Sequence, residues 1–230
     1  MTRRASVVVA THDGAGVIAA CLEALCSQDL PADAYEVVVV DDGSRDGVHE
    51  VAWSVARAHP QIEVRIVRLP VNEGLSAARN AGIASSSGQV VLFTDDDAIP
   101  DPDWVRRILE AYRPGIDGVG GYWRPLADTV FARYALARTY LDYGRRAETV
   151  DGAGGQNMSF SRSALTAVGA FDPLFTTVSD DADLNRRMVR AGRRLLVLPR
   201  ITVRHRTAGD LATFCSKMYA RGAGARTFHE

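Results

Sequence analysis

The stretch Gln89-Val90-Val91-Leu92-Phe93-Thr94-Asp95-Asp96-Asp97 decides how this chain is read. Gln89 to Thr94 is short, apolar and rich in β-formers, the pattern of a buried strand. Three carboxylates at its tip repel one another and gain nothing from burial. They need a positive partner, and a divalent cation that bridges the phosphates of a ligand meets the need. The competing reading makes Asp97-Ala98-Ile99-Pro100-Asp101-Pro102 an acidic turn leading into a helix at Trp104, since Asp is common in turns and near helix starts.

Strands and helices alternate around this stretch. Ala5–Thr11, Tyr35–Val40 and Ile62–Leu69 read as strands. Between them, Ala15–Ser27, Gly47–Ala58 and Leu75–Ala84 read as helices. Continuous apolar strands alternating with helices predict an α/β fold, a mostly parallel sheet covered on both faces. In such sheets ligands bind outside the carboxyl ends of the strands. Thr11-His12-Asp13, Asp41-Asp42 and Asp95–Asp97 all fall there. The second half reads as helices at Asp103–Tyr112, Leu126–Arg146, Ser163–Val168, Asp181–Ala191 and Leu211–Arg221. Strands are expected at Gly118–Trp123, Met158–Ser161, Leu195–Leu198 and Ile201–His205. With no repeat and no long linker, residues 1–230 are expected to form one compact domain, with a nucleotide-binding N-terminal half (1–97) ahead of residues 98–230.

Composition narrows the function classes. The 230 residues are 47% hydrophobic and 24% charged, with a net charge of −1, which argues for a globular protein and against a general nucleic-acid binder. Lys217 is the sole lysine. The three cysteines, Cys21, Cys26 and Cys215, have no metal spacing and read as free thiols of a reducing compartment. No signal-peptide pattern and no apolar run of about 20 residues is present, so a cytoplasmic chain without a membrane span is expected. The glycine-rich end, Arg221–Arg226, reads as frayed or cut.

Several motifs admit two readings. Gly14-Ala15-Gly16-Val17-Ile18-Ala19, with Asp41 further on, fits a relaxed dinucleotide fingerprint and an NAD-type oxidoreductase. Against it, Thr11-His12-Asp13 intervene before the first glycine, and Asp95–Asp97 are left without a role. Asp42 at a strand end can accept from a base N–H or ribose hydroxyls, while Ser44 or Asp46 can cap the next helix. Arg79 is either a phosphate or base contact or a surface arginine.

Six segments in order resemble the family 2 glycosyltransferases: Ser6–Asp13, Val38–Gly47, Asn72–Gly82, Phe93–Asp97, Gly155–Asp172 and Ser179–Gly192. The resemblance spans residues 5–205 or so. It implies a GT-A fold and inverting transfer from a nucleotide-diphosphate sugar, most often UDP-linked. It implies Mn2+ or Mg2+ on Asp97, with His205 completing the metal site. Donor contacts would be Ala10, Thr11, Asp13, Asp42, Arg79 and Asp95, with Asp96 beside them. Asp95 and Asp97, two apart in extended chain, point to the same side and Asp96 away. On the acceptor side would stand Gly155, Asn157, Asp180 and Trp123. Asp181 resembles the base that takes the acceptor's hydroxyl proton. The acceptor would be a glycan, a lipid-linked molecule or a small-molecule hydroxyl, with peripheral contact at the inner face of the cell membrane. The chain departs from the family pattern at Ala10, His12, Asp13 and Asp180, where a proline, an aromatic, an asparagine and a glutamate are usual.

Three further readings stand beside this one. The dehydrogenase is one. A nucleotidyltransferase is another, but it lacks its glycine-rich Gly-x-Gly-x-Arg loop and activating lysine here. A non-catalytic binding module would not need Asp95–Asp97 together with Asp181.

Overall fold

A computed structural model describes residues 4–143, 148–149 and 152–227. The first half alternates as expected: β1 (Ala5–Thr11), α1 (Ile18–Cys26), β2 (Tyr35–Asp42), α2 (Val48–Ala58), β3 (Val64–Leu69), α3 (Leu75–Ala84) and β4 (Val90–Asp95). The second half runs β5 (Ala98–Pro100), α4 (Trp104–Ala111), β6 (Gly118–Pro125), α5 (Val130–Tyr143), β7 (Glu148–Thr149), β8 (Met158–Ser161), α6 (Arg162–Val168), α7 (Asp180–Arg190), β9 (Leu195–His205) and α8 (Leu211–Thr227). Among the described residues no helix is long and apolar enough to cross a membrane.

One sheet carries all the strands, in the order β3-β2-β1-β4-β8-β6-β9-β5, with β7 on β9. The β3-β2-β1-β4 part is parallel. Beyond it β8 runs antiparallel to both β4 and β6, while β6 and β9 are parallel. Every residue of β2 is buried, as a strand covered on both faces requires. Alternation assigns the faces. Val7 and Val9 join Ile18 and Leu22 of α1, Val55 of α2 and Trp104 of α4. Val8 faces the other way, with Ala78 of α3, Leu165 of α6 and Leu184 of α7.

The chain winds outward from β1 through β2 to β3, then crosses back so that β4 lies on the other side of β1. That reversal is a topological switch point, where a crevice opens at the carboxyl ends of the strands. Ala10 of β1 pairs with Asp95 of β4, and Thr11 with Asp41 of β2. The acidic strand ends therefore stand at one level around the crevice.

Three details differ from the sequence reading. The segment after the aspartates is not only a turn, because Ala98–Pro100 pairs antiparallel with β9. The two strands expected at 195–205 are one, whose register against β6 slips between Gly121 and Tyr122; Pro199 lies in the slipped stretch and cannot donate a ladder hydrogen bond. The glycine-rich Arg221–Arg226 stretch continues α8. Of the helix expected at Leu126–Arg146, residues 144–146 lie outside the described residues.

Candidate active site

The pairing of β5 with β9 builds the acidic centre. Ala98 sits opposite His205, so the imidazole meets the carboxylates just before it. His205 Nε2 lies 3.2 Å from Asp95 Oδ2 and 3.0 Å from Asp97 Oδ1. One ligand atom from each of these three residues falls within 4.8 Å of the others. Two carboxylate oxygens and an imidazole nitrogen suit Mn2+ or Mg2+, so the residues fit the expected cation. They also enlarge the expected ligand pair, because Asp95 joins Asp97 and His205. Burial opposes a charge on His205, but its hydrogen bonds to Asp95 and Asp97 prevail and hold its pKa up to about 9. Burial likewise opposes the charge on Asp95, yet His205 and Arg79 keep it below the ordinary carboxylate range. Asp96 is not one of the three ligand residues and accepts from the Thr11 hydroxyl, but it lines the same cavity as Asp95 and Asp97 and does not point away from it. Burial, helped by Asp97 and Asp95, pushes the Asp96 pKa up to about 6.

A cavity of about 500 Å³ opens on the β1–β2–β4 side, the side expected to take the donor, lined by Ala10, Thr11, Asp42 and Asp95–Asp97 among others. Both Asp42 oxygens accept backbone N–H bonds, from Glu73 at 2.8 Å and Gly74 at 2.9 Å. The carboxylate thus fixes the loop before α3 while still facing the cavity. Gly14 explains the glycine pattern after β1. A Cβ there would come within 2.3 Å of Asp96 Oδ2 and Thr11 Oγ1. The glycine therefore makes room for the acidic centre, and α1 begins only at Ile18. That is not the tight turn of a dinucleotide site, and the oxidoreductase reading is not favoured.

A second cavity, of about 470 Å³, on the side expected to take the acceptor, adjoins the first and holds Arg79, Asp180 and Asp181 together with Asp95, Trp123 and His205. Arg79 is buried, not a surface arginine. Its guanidinium donates to Asp180 Oδ2, to Asp95 Oδ1 at 3.1 Å and to the Gly155 carbonyl at 3.2 Å. Gly155 in turn donates its N–H to Asp181 Oδ2 at 2.8 Å. Burial raises the Asp181 pKa, the Asp180 charge adds to the rise, and Arg79 and two backbone N–H groups oppose it.

Two expected contacts, Asn157 and Asp13, stand elsewhere, and a third, Asp180, is engaged by another side chain. Asn157 does not face the acceptor side. It is buried, its Nδ2 donates to the Tyr122 and Ile201 carbonyls, and its Oδ1 accepts from Trp104 Nε1. Asp13 is exposed, is not among the residues lining the donor-side cavity, and ties its loop to the next by accepting from Arg45 N at 2.8 Å. Asp180 lines the acceptor-side cavity, but its carboxylate is taken by Arg79. Trp123, by contrast, lines that cavity edge-on to His205, ring centroids 6.1 Å apart. Sequence reasoning missed Phe131 of α5 and Phe214 and Lys217 of α8, which close the acceptor-side cavity. The solitary lysine was the one available signal.

Comparison with known proteins agrees with this architecture. The model of the family described as Glycosyl transferase family 2 matches residues 6–169, more than half of the chain. Glycosyltransferase AglE of Haloferax volcanii is 38% identical over 133 residues, 56% of this chain and 43% of that protein. The pre-mycofactocin glycosyltransferase of Mycobacterium tuberculosis is 30% identical over 198 residues, 82% of this chain and 41% of its own length. The chain thus spans about two-fifths of the length of these relatives. Among solved structures, mannosyltransferase PcManGT from Pyrobaculum calidifontis, in complex with GDP-Man and Mn2+, superposes with a TM-score of 0.74 at 22% identity. That match covers 95% of this chain and 65% of that one, and it carries the GT-A fold.

Proposed function

The chain belongs to glycosyl transferase family 2, and from that premise we propose an inverting, metal-dependent transfer of a hexosyl unit from a nucleotide-diphosphate sugar, a UDP-sugar first, to a hydroxyl acceptor. The observation that carries this reading is the acceptor-side cavity, which exposes Asp181 together with Asp95 and His205 of the cation site.

In this reading residues 1–97 hold the donor and residues 98–230 the acceptor. Ala10, Thr11 and Asp42 border the nucleotide, and Asp95, Asp97 and His205 hold the cation. When bound, the cation offsets charge on the diphosphate. Asp181 accepts the proton of the acceptor hydroxyl as its oxygen bonds the anomeric carbon. The bond from that carbon to the diphosphate oxygen breaks, and its electron pair stays on the diphosphate. With the base on the face away from the leaving group, the acceptor oxygen attacks from that face and the anomeric carbon inverts. Arg79 orients the carboxylates on both sides through Asp95 and Asp180. The acceptor is a glycan, a lipid-linked molecule or a small-molecule alcohol, met in the cytoplasm or at the inner face of the cell membrane.

Thermal melting tests the donor class. Mn2+ with UDP or GDP should raise the melting temperature and NAD should not, since only a ligand of the folded state stabilises it. Stabilisation by NAD alone would overturn the reading.

A further inference from the structure

The two cavities share Leu75, Asp95, Thr177, Val178, His205 and Lys217. Their common wall holds Asp95 and His205 of the cation site, so the seam between them is where a diphosphate would lie if glycosyl transfer is the reaction. The charges at that seam do not balance for such a ligand. Two carboxylates, Asp95 and Asp97, cancel a divalent ion, and a ligating imidazole is neutral. A nucleotide sugar brings two negative charges on its diphosphate, and a third develops as the sugar leaves. Arg79 cannot supply the missing positive charge, because the buried Asp180 already balances it.

Lys217 can. Of the residues shared by both cavities, His205 and Lys217 are the basic ones, and His205 is bonded to Asp95 and Asp97. Lys217 has no ion-pair partner among the described residues, and its charge is felt by Asp95. The helix that carries it is placed for the purpose. Phe214, Lys217 and Met218 stand three and four residues apart, on one face of α8, and all three line the acceptor-side cavity. Phe214 stacks on Phe131 of α5, centroids 5.1 Å apart, and meets Tyr134 at 5.6 Å. These contacts anchor α8 over the seam, while Lys217 itself stays exposed.

We propose that Lys217 binds the diphosphate of the donor from α8 and neutralises the charge that grows there as the sugar departs. The assignment rests on the glycosyl-transfer reading. It makes α8 part of the donor site, although α8 lies far along the chain from the donor-binding half.

The test is calorimetric titration of wild type, Lys217→Gln and Lys217→Arg with UDP, GDP, UMP and GMP in the presence of Mn2+. Lys217→Gln should weaken the diphosphate that wild type binds by about tenfold, the scale of one hydrogen bond to a charged group. Binding of the matching monophosphate should change less than about twofold on the same argument, and Lys217→Arg should recover most of the loss. Undiminished diphosphate binding by Lys217→Gln would overturn the role of Lys217 and leave glycosyl transfer standing. Equal weakening of mono- and diphosphate would overturn the diphosphate contact. Failure of wild type to bind either diphosphate would overturn the glycosyl-transfer reading, and this proposal with it.

Discussion

Arg79 and Asp180 form a buried ion pair that joins the donor side of the cavity to the acceptor side. Both side chains are at most 4% exposed. Arg79 extends from α3 to Asp95 of the cation site, and Asp180 opens α7 immediately before Asp181. The guanidinium also lies 5.4 Å from the centroid of the Phe171 ring. Burial opposes its charge, but Asp180, Asp95 and Asp181 more than restore it.

Removing one partner therefore strands the other. Arg79→Met should cost roughly 3–5 kcal/mol of stability, the cost of leaving a buried charge unpaired. Arg79→Met with Asp180→Asn should cost less than the sum of the single changes, since the pair acts as a unit. Urea unfolding of the four proteins in the cycle measures this. Additive losses would mean that the two side chains do not depend on each other.

Asn157 gives the opposite kind of prediction. Its side chain satisfies the Tyr122 and Ile201 carbonyls and the Trp104 indole N–H, all away from solvent. Asn157→Ala removes three buried hydrogen bonds, at about 0.5–1.5 kcal/mol each, and should destabilise the fold by about 1.5–4.5 kcal/mol. Acceptor KM, measured well below the melting temperature, should stay unchanged. A raised KM with normal stability would return Asn157 to the acceptor site.

The difference between Asn157 and Asp95 shows what the sequence could carry. The strand-end aspartates were legible because apolar strands and helices alternate locally; the i, i+2 argument for an extended chain does not apply, since Asp96 and Asp97 form the turn between β4 and β5. The β8 strand at Met158–Ser161 and the α3 helix at Leu75–Ala84 were legible for the same reason. What Asn157 touches depends on residues 35, 44 and 53 positions away, and no periodicity records that. The three-residue β5 has too little pattern of its own; only its pairing with β9 makes it a strand. That same pairing sets His205 against Asp97, so the imidazole could be expected from resemblance but not from spacing. Lys217 was visible only as an isolated residue, because its place over the seam comes from the packing of α8 on α5.

The cation site should be strongly pH-dependent. A metal-bound imidazole must be neutral, but without the ion Asp95 and Asp97 hold the His205 pKa up to about 9 despite its burial. Below that pH an arriving cation has to displace a proton. Affinity for Mn2+ should therefore rise about tenfold per pH unit between pH 7 and 9, then level off, with about one proton released per ion. Titration calorimetry in buffers of different ionisation enthalpy reads the proton directly. Affinity flat across this range would mean that His205 is not a ligand. Asp97→Ala should abolish the Mn2+-dependent part of the thermal stabilisation, leaving any nucleotide effect without metal in place.

Asp181 should reveal itself through both a loss and a shift. Asp181→Asn cannot take a proton, so transfer should fall by about 10²–10⁴, the usual contribution of a positioned base, while donor binding measured by calorimetry persists. Retained transfer would remove Asp181 from the base role. The shift concerns the acidic limb of the pH–rate profile. Burial and the Asp180 charge hold the Asp181 carboxyl above the ordinary range, against the pull of Arg79 and the Gly155 and Ala182 N–H groups. A base with a raised pKa loses its ionised form, and the enzyme its rate, at a pH above the ordinary Asp value of about 3.9. Asp180→Asn deletes the second of the two raising influences and leaves Arg79 less engaged, so that its pull on Asp181 grows. Both changes act in the same direction, and the limb should move to lower pH. A limb that stays in place or moves upward in Asp180→Asn would show that some group other than Asp181 titrates in the rate.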